Sequence, residues 1–409
     1  MTEDTSSHDA LINELERSGT EPSAITTRPT AGPTAAPRKR ATTPRELGQI
    51  VLVLQGGGAL GAYQVGVYQA LHAAGIEPDW VVGTSIGAIN ASLIAGNEPG
   101  SRLDRLQEFW RRVKHGRLQQ LYGAWPLATT LMTISAGIPA FFRPNPLAFL
   151  GPFMPLSADA AGYYDTAPLR ATLEDLVDFA RINRRETRLT VGAANVRTSE
   201  MRYFDSRDLA LDVRHVMASG ALPPAFPAVR IDGELYWDGG ILSNTPVETV
   251  FDDNPRRDSL IFAVHIWNPQ GAEPATIQAV MNRQKDIQYS SRAVSHIARQ
   301  KQLHRLRHVI AELAGRLPER ELDDPEVRRL LGYGCLTRMH VVRLLAPSLD
   351  GEDHTKDIDF SPAGIRQRRE AGYADTSRVL EMAPWSGEFD PIEGFILHEA
   401  RPGMVVTAG

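Results

Sequence analysis

The sequence predicts an α/β domain built on a mainly parallel sheet with helices on both faces, followed by a mostly helical C-terminal extension. Two features carry the prediction. The apolar run Ile50-Val51-Leu52-Val53-Leu54 is continuous rather than alternating and ends in glycines, the pattern of a strand buried on both faces. Strand, glycine turn and helix then occur twice between residues 50 and 93; a βαβα opening implies right-handed crossovers and a parallel sheet. The 409 residues, 42% hydrophobic and 23% charged, suit one large globular domain or two ordinary ones.

After the first strand, Ala59 to Ala74 reads as a helix whose small residues Gly61, Ala62 and Gly66 mark a close approach to something else. Trp80-Val81-Val82 is a second buried strand and Ile86 to Leu93 a second helix. Leu103 to His115 is amphipathic, with Leu103, Leu106, Phe109, Trp110 and Val113 on one face. From Leu118 to Ala158 there is a single charge, Arg143. Its uncharged part, Leu118 to Phe142, is long enough to span a bilayer. Pro126, Pro139, Gln119 and Gln120 interrupt it, so buried helices or an apolar cap over a site are expected instead.

Asp165-Thr166-Ala167-Pro168 starts a helix running to about Arg181. Leu189 to Ala194 and Glu200 to Phe204 read as strands, Val213 to Ser219 as a short helix, and Glu234 to Trp237 and Leu260 to Ile266 as further strands. Met281 to Leu313 is a long helix or helix pair, Thr337 to Leu345 a last strand, and Ser361 to Leu380 a last helix. The residues through Gly409 show no pattern.

Charge and cysteine content narrow the chemistry. The net charge of −5 and pI near 6.1 leave no excess of positive charge to displace counterions from nucleic acid. One cysteine, Cys335, excludes an intramolecular disulfide and any multi-cysteine metal site; it has no recognisable catalytic partner and is expected to be a bystander. Residues 1–21 carry six acidic side chains against Arg17 alone, with no apolar core, so no targeting peptide is expected there and the location is expected to be cytoplasmic. The Thr-, Pro- and Ala-rich stretch that follows cannot bury enough apolar surface to offset its ordering entropy, and residues 1–46 are expected to be disordered.

Three glycine clusters lie at strand ends. Gln55-Gly56-Gly57-Gly58-Ala59-Leu60-Gly61 frees backbone N–H groups to face an anion or a developing oxyanion at a helix N-terminus. Gly56, Gly58 and Gly61 also fit a dinucleotide fingerprint, but the second strand ends in Val82-Gly83-Thr84-Ser85 without the acidic residue that binds ribose, so no cofactor is expected. Gly83-Thr84-Ser85-Ile86-Gly87 is a G-x-S-x-G turn between strand and helix, which exposes a serine as a nucleophile. Trp237-Asp238-Gly239-Gly240 places an aspartate beside two glycines; alone it reads as a turn.

In this order the three clusters resemble the patatin-like phospholipases, a family of serine acyl hydrolases. Ala218-Ser219-Gly220-Ala221-Leu222-Pro223-Pro224 adds to the likeness, which spans roughly residues 48–268 with a weaker echo from Asp359-Phe360-Ser361 to Gly372-Tyr373. The resemblance implies a three-layer α/β/α patatin-like fold and lipid acyl hydrolysis by a dyad of Ser85 as nucleophile and Asp238 as proton acceptor. It also implies an oxyanion hole from the N–H groups of Gly56, Gly57 and Gly58, with Gly61, Gly83, Gly87, Gly239 and Gly240 as motif residues. The substrate is then a lipid or other acyl ester. The division becomes a hydrolase domain over 47–275, with 118–158 as its cap, and a C-terminal extension over 276–409.

Two alternatives stay open at this level: a Ser-His-Asp carboxylesterase, for which His265 follows in the chain, and a non-catalytic lipid-binding protein on the same fold. His304 and His308 are spaced i, i+4 as metal ligands would be, but arginines surround them and no carboxylate partner is evident. They are expected on a solvated basic face, and no metal is expected. The segment from Arg283 to His308 holds seven Lys and Arg side chains against Asp286, offering a surface for peripheral contact with anionic lipid headgroups or with a partner chain. The sequence leaves the oligomeric state unspecified.

Overall fold

The structure, a computed structural model, describes residues 42–114, 133, 135–151, 153–349, 351–390, 392–401 and 404–408. The opening follows the predicted order. Strand β1 (Gln49–Leu54) leads through a 3-10 turn at Gly58–Gly61 into α1 (Ala62–Ala73), then β2 (Trp80–Thr84), α2 (Ile86–Ala95) and α3 (Pro99–Val113). Ile50 to Leu54 are all buried: Ile50, Leu52 and Leu54 pack on one face of the sheet and Val51 and Val53 on the other. The predicted first helix thus begins as a tighter turn, because the glycine loop consumes its first residues.

A short hairpin, β3 (Arg143–Pro144) and β4 (Tyr164–Asp165), precedes α4 (Ala167–Leu176) and α5 (Phe179–Asn183). The sequence suggests one helix to Arg181. Two form because Val177 is extended and the Asp178 side chain starts a new helix by accepting from the Arg181 N–H (3.0 Å). There follow β5 (Arg188–Asn195), β6 (Met201–Asp205), α6 (Val213–Ser219), β7 (Val229–Ile231), β8 (Glu234–Asp238), α7 (Glu248–Phe251) and β9 (Ser259–His265).

The C-terminal region is largely helical, as expected. Its principal helices are α8 (Ile277–Ala314), a single helix rather than a pair, and α11 (Pro362–Met382), with α9 (Glu319–Leu322) and α10 (Pro325–Leu331) between them. It also adds three strands to the same sheet: β10 (Met339–Leu345), β11 (Phe395–Arg401) and β12 (Met404–Ala408). The last two come from the stretch in which the sequence shows no pattern.

The sheet order is β12-β11-β10-β9-β1-β2-β5-β8-β7, with β6 also pairing β5. From β11 to β5 every neighbouring pair is parallel. The chain steps from β1 to β2 to β5 in one direction and then returns on the other side as β9, β10 and β11. The strand order therefore reverses between β1 and β9. In open parallel sheets the crevice outside the carboxyl ends of the strands at such a reversal is where ligands are held. Helices α1, α2, α3 and α11 cover one face and α7 and α8 the other, which makes the three layers.

The expected disorder of residues 1–46 falls outside the described residues as far as 41. From Thr42 the chain is placed: Pro44–Leu47 form a 3-10 turn and Arg45 pairs with Asp79. Of the apolar segment 118–158, residues 118–132, 134 and 152 lie outside the described residues. No helix among the described residues is long and apolar enough to cross a membrane.

The close approach read from small residues in the first helix is to α11. A Cβ built on Gly66 would lie 1.9 Å from the Arg369 carbonyl oxygen, and one on Gly372 2.1 Å from that of Tyr63. Two helix backbones touch here, and a methyl on either side forces them apart. Gly66→Ala and Gly372→Ala are each expected to lower stability by about 1–3 kcal/mol, read as a lower denaturant midpoint. Gly100→Ala in α3, where a Cβ meets nothing, should be neutral or stabilising.

Candidate active site

Three segments converge where the strand order reverses. β1 ends at Leu54, and Gln55, fully buried, ties that end to β9. Its Oε1 accepts from the N–H groups of Ile266 (2.6 Å) and Trp267 (3.1 Å), and its Nε2 donates to Thr245 Oγ1 (2.8 Å). Gln64 Nε2 donates to the Gln55 carbonyl (2.6 Å) and Asn90 Nδ2 to Gln64 Oε1 (2.8 Å). A chain of satisfied amides is stiff, so the glycine loop that follows starts from a fixed point. Gly58 has φ +54°, and a Cβ there would sit 2.2 Å from the Asp357 carbonyl oxygen; only glycine fits.

Ser85 stands between β2 and α2 at φ +57°, a conformation costly for a non-glycine residue and held only where its surroundings over-determine it. Those surroundings are backbone. A Cβ on Gly83 would lie 2.3 Å from the Gly87 carbonyl oxygen, and one on Gly87 would lie 2.2 Å from that of Leu54. The turn is therefore pressed against the end of β1, which sets Ser85 beside the glycine loop. The Ser85 N–H donates to Ser219 Oγ (3.0 Å), whose hydroxyl donates to the Gly192 carbonyl (2.6 Å).

Asp238 ends β8 opposite Ala193 of β5. It is 2% exposed and accepts from the Gly240 N–H at 2.7 Å. Burial pushes its carboxyl up to about 6, against the smaller opposing pull of the Ser85 side chain and the Gly240 N–H. Gly239 lets β8 end against β5, since a Cβ there would meet the Gly192 carbonyl at 2.4 Å.

Ser85, Asp238, Gly56, Gly57, Gly58 and Gly240 line one pocket of about 960 Å³. Its walls are apolar: Ile86, Ile89, Phe141, Phe142, Leu222, Phe226 and Phe360. Phe141 and Phe142 belong to the segment expected to cap a site. The predicted glycines are not equivalent. The Gly56 N–H donates to the Asn244 carbonyl (3.2 Å). The N–H groups of Gly57 and Gly58 have no partner among the described residues. Gly61, Gly83, Gly87 and Gly239 serve packing.

Sequence reasoning left out several pocket residues. Asn244 was visible only as part of Asn244-Thr245-Pro246 after the third cluster. Trp267, Tyr289, Asp357 and Ile358 carry no local signal, because they become neighbours of Ser85 only through the return of β9 and the packing of α8. Phe360 sits in the weak echo Asp359-Phe360-Ser361.

No histidine lines the pocket among the described residues. His265 is 1% exposed, its Nε2 has no partner among the described residues, and burial holds its pKa well below the ordinary value. His304 and His308 are likewise buried, which corrects the expected solvated face: α8 packs them inward, His304 Nε2 on the Thr337 carbonyl (2.8 Å) and the His308 ring against Gly394. Among the described residues no group of side chains is suited to hold a metal. Cys335 Sγ contacts Thr337 Oγ1 at 2.9 Å, away from the pocket.

A serine on a strained strand-to-helix turn, lining one apolar pocket with a buried carboxyl, is the arrangement of a serine hydrolase. The chain belongs to the patatin-like phospholipases. A family model described as "Patatin-like phospholipase" matches residues 52–251, and a second, described as "Patatin phospholipase", matches 287–392. Patatin-like phospholipase domain-containing protein 6 of Mus musculus is 28% identical over 204 residues, 49% of this chain and 12% of that protein. An uncharacterized NTE family protein of Mycobacterium tuberculosis is 26% identical over 202 residues, 49% of this chain and 45% of that one. The chain thus spans less than half the length of these curated relatives. The crystal structure of VipD from Legionella pneumophila aligns with 86% of this chain and 72% of its own at 17% identity, with a TM-score of 0.34.

If the Asp238 carboxylate withdraws the Ser85 proton, modification of Ser85 by an alkyl fluorophosphonate should accelerate as pH rises through about 6 and then level off. His265→Gln should keep both the rate and the midpoint. A profile centred near 4, the ordinary carboxylate value, or loss of labelling in His265→Gln with the fold intact, would count against this geometry.

Proposed function

We propose that the protein is a lipid acyl hydrolase that cleaves carboxylic ester bonds through an acyl-enzyme on Ser85. The observation that carries the reading is that Ser85, on its strained turn, and the buried Asp238 carboxyl line the same apolar pocket beside the glycine loop. Asp238 accepts the hydroxyl proton as Ser85 Oγ attacks the ester carbonyl. The N–H groups of Gly57 and Gly58 receive the oxyanion, an effect worth about 2.7–4 kcal/mol per donor, while the Gly56 N–H holds the loop to Asn244. The tetrahedral adduct collapses, the C–O bond to the leaving alcohol breaks, and Asp238 returns the proton to that alcohol. Water then attacks the acyl-enzyme with the same aspartate as base, releasing the acid and restoring Ser85.

Burial does two things for this dyad. It raises the basicity of a carboxylate that would otherwise be too weak to activate an alcohol, and it keeps bulk water from competing for the proton. The aromatic walls do the burying and offer an acyl chain a dry channel.

A peripheral contact with membrane belongs to the same reading. Leu147, Leu150, Phe153 and Met154 are exposed in the segment that also supplies Phe141 and Phe142 to the pocket, and Ile277, Val280 and Met281 are exposed at the start of α8. Of the basic side chains on α8, Lys285 is engaged with Asp357, Arg283 with the Asn268 and Pro269 carbonyls, and Arg305 with Glu393, so apolar contact carries more of the interaction than charge.

A panel of phospholipid, lysophospholipid, glyceride and short-chain esters tests the chemistry. Ser85→Ala should abolish turnover, and Asp238→Asn should lower kcat by at least 10²-fold, a typical general-base contribution, with the melting temperature little changed. Hydrolysis surviving in Ser85→Ala removes the reading. Co-sedimentation with anionic vesicles tests the contact: binding is expected to weaken only modestly as salt rises, and absence of binding at every salt concentration rejects it.

A further inference from the structure

If Ser85 forms the acyl-enzyme, the orientation of the peptide groups in the glycine loop decides where the oxyanion donor points. The carbonyl oxygen of Gly56 accepts two side-chain hydrogen bonds, from Trp267 Nε1 at 2.8 Å and from Asn244 Nδ2 at 3.1 Å. The Gly56–Gly57 peptide is trans, as the cis bonds of the described residues are Pro223–Pro224 and Asn254–Pro255. In a planar trans peptide the N–H runs antiparallel to the C=O. Pinning the Gly56 carbonyl toward Trp267 and Asn244 therefore turns the Gly57 N–H to the opposite side, where it has no partner among the described residues.

The pins answer a specific weakness. A peptide between two glycines flips readily, because glycine accepts either sign of φ. A flipped Gly56–Gly57 peptide would present a carbonyl oxygen where the oxyanion forms, replacing attraction by repulsion. Oxyanion stabilisation is largest when the donor is fixed before the reaction, so that nothing reorganises during it. We infer that Trp267 and Asn244 are positioning residues that hold the Gly56–Gly57 peptide in the orientation presenting the Gly57 N–H to the substrate oxyanion.

Both pins are themselves held by the C-terminal region. The Trp267 ring stacks on Tyr289 of α8 (4.8 Å between centroids, 30° between planes), and Lys356 Nζ lies 5.4 Å from its centroid. Lys356 is buried in an ion pair with Asp286 (2.7 Å), one turn before Tyr289. Asn244 Nδ2 also donates to the Tyr289 carbonyl, as does Gln55 Nε2, both at 3.3 Å. Tyr289 thus couples α8 to Gln55, just before the loop, and to both side chains that pin Gly56. Trp267 lies beyond the 52–251 match and Tyr289 within the second match.

Trp267→Phe in the full chain deletes the N–H donor and keeps a ring against Tyr289. It is expected to lower kcat about tenfold, the scale of one lost hydrogen bond, with KM within about twofold. Asn244→Ala should act in the same direction, and the double variant should lose at least 10²-fold. Inhibition by a trifluoromethyl ketone, which forms a tetrahedral adduct with the serine, should weaken in step with kcat, while binding of an unreactive ether analogue of the ester should not change. A purely structural role would instead lower the melting temperature and weaken both ligands together. Unchanged kcat in the folded single variants, or equal loss of ketone and ether affinity, overturns the assignment and leaves the acyl-enzyme reading standing. Turnover by Ser85→Ala overturns that reading and this assignment with it.

Discussion

A carboxyl buried with no cation beside it among the described residues is the constraint around which this site is organised. Asp238 is almost wholly removed from water and accepts a hydrogen bond from the Gly240 N–H. Taking a charge out of water is costly unless it is paired, and the cost appears as a carboxyl shifted up to about 6. In the proposed mechanism the same burial supplies the basicity that the Ser85 nucleophile requires. An arginine beside Asp238 would stabilise the carboxylate and remove that basicity. In that mechanism the aromatic wall of Phe141, Phe142, Phe226 and Phe360, which lines the pocket together with Asp238, would serve the acid–base chemistry as well as an apolar substrate.

Backbone contact is the second requirement. The serine turn abuts the end of β1 through Gly87, the end of β8 abuts β5 through Gly239, and Gly58 abuts the segment carrying Asp357. Each contact excludes a side chain because a peptide group already fills the space. Glycines that look alike in the sequence therefore play different parts. Some let strands and turns touch, while Gly57 and Gly58 keep N–H groups available. Gly56 belongs to both sets, its N–H and its carbonyl both engaged in holding the loop.

The C-terminal region takes part in this construction. Its three strands extend the sheet beyond β9, α11 lies against α1, and α8 brings Tyr289 to the glycine loop. Lys285–Asp357 and Asp286–Lys356 tie α8 to the segment that supplies Asp357, Ile358 and Phe360 to the pocket. The two family matches, 52–251 and 287–392, thus describe parts of one sheet and one pocket.

Much of the core was legible from sequence because its signals are local. A run apolar on both faces specifies a strand covered twice, as at Ile50–Leu54, and a G-x-S-x-G between strand and helix specifies an exposed serine. Where two local tendencies compete, the sequence was less decisive: Asp178 ended one helix by starting another, and the arginines flanking His304 and His308 concealed that both histidines point inward. β11 left no pattern because parallel pairing to β10, far away in the chain, makes it a strand, and β12 is one only because it pairs antiparallel with β11. The candidate nucleophile, the candidate base and the glycine loop could be named from sequence alone, since each rests on residues adjacent in the chain. How basic the aspartate is, which glycine N–H groups remain open, and that Trp267, Asn244 and Tyr289 surround them emerged only from tertiary packing. Those properties arise from groups up to some two hundred residues apart, brought within hydrogen-bonding distance by the reversal of strand order between β1 and β9.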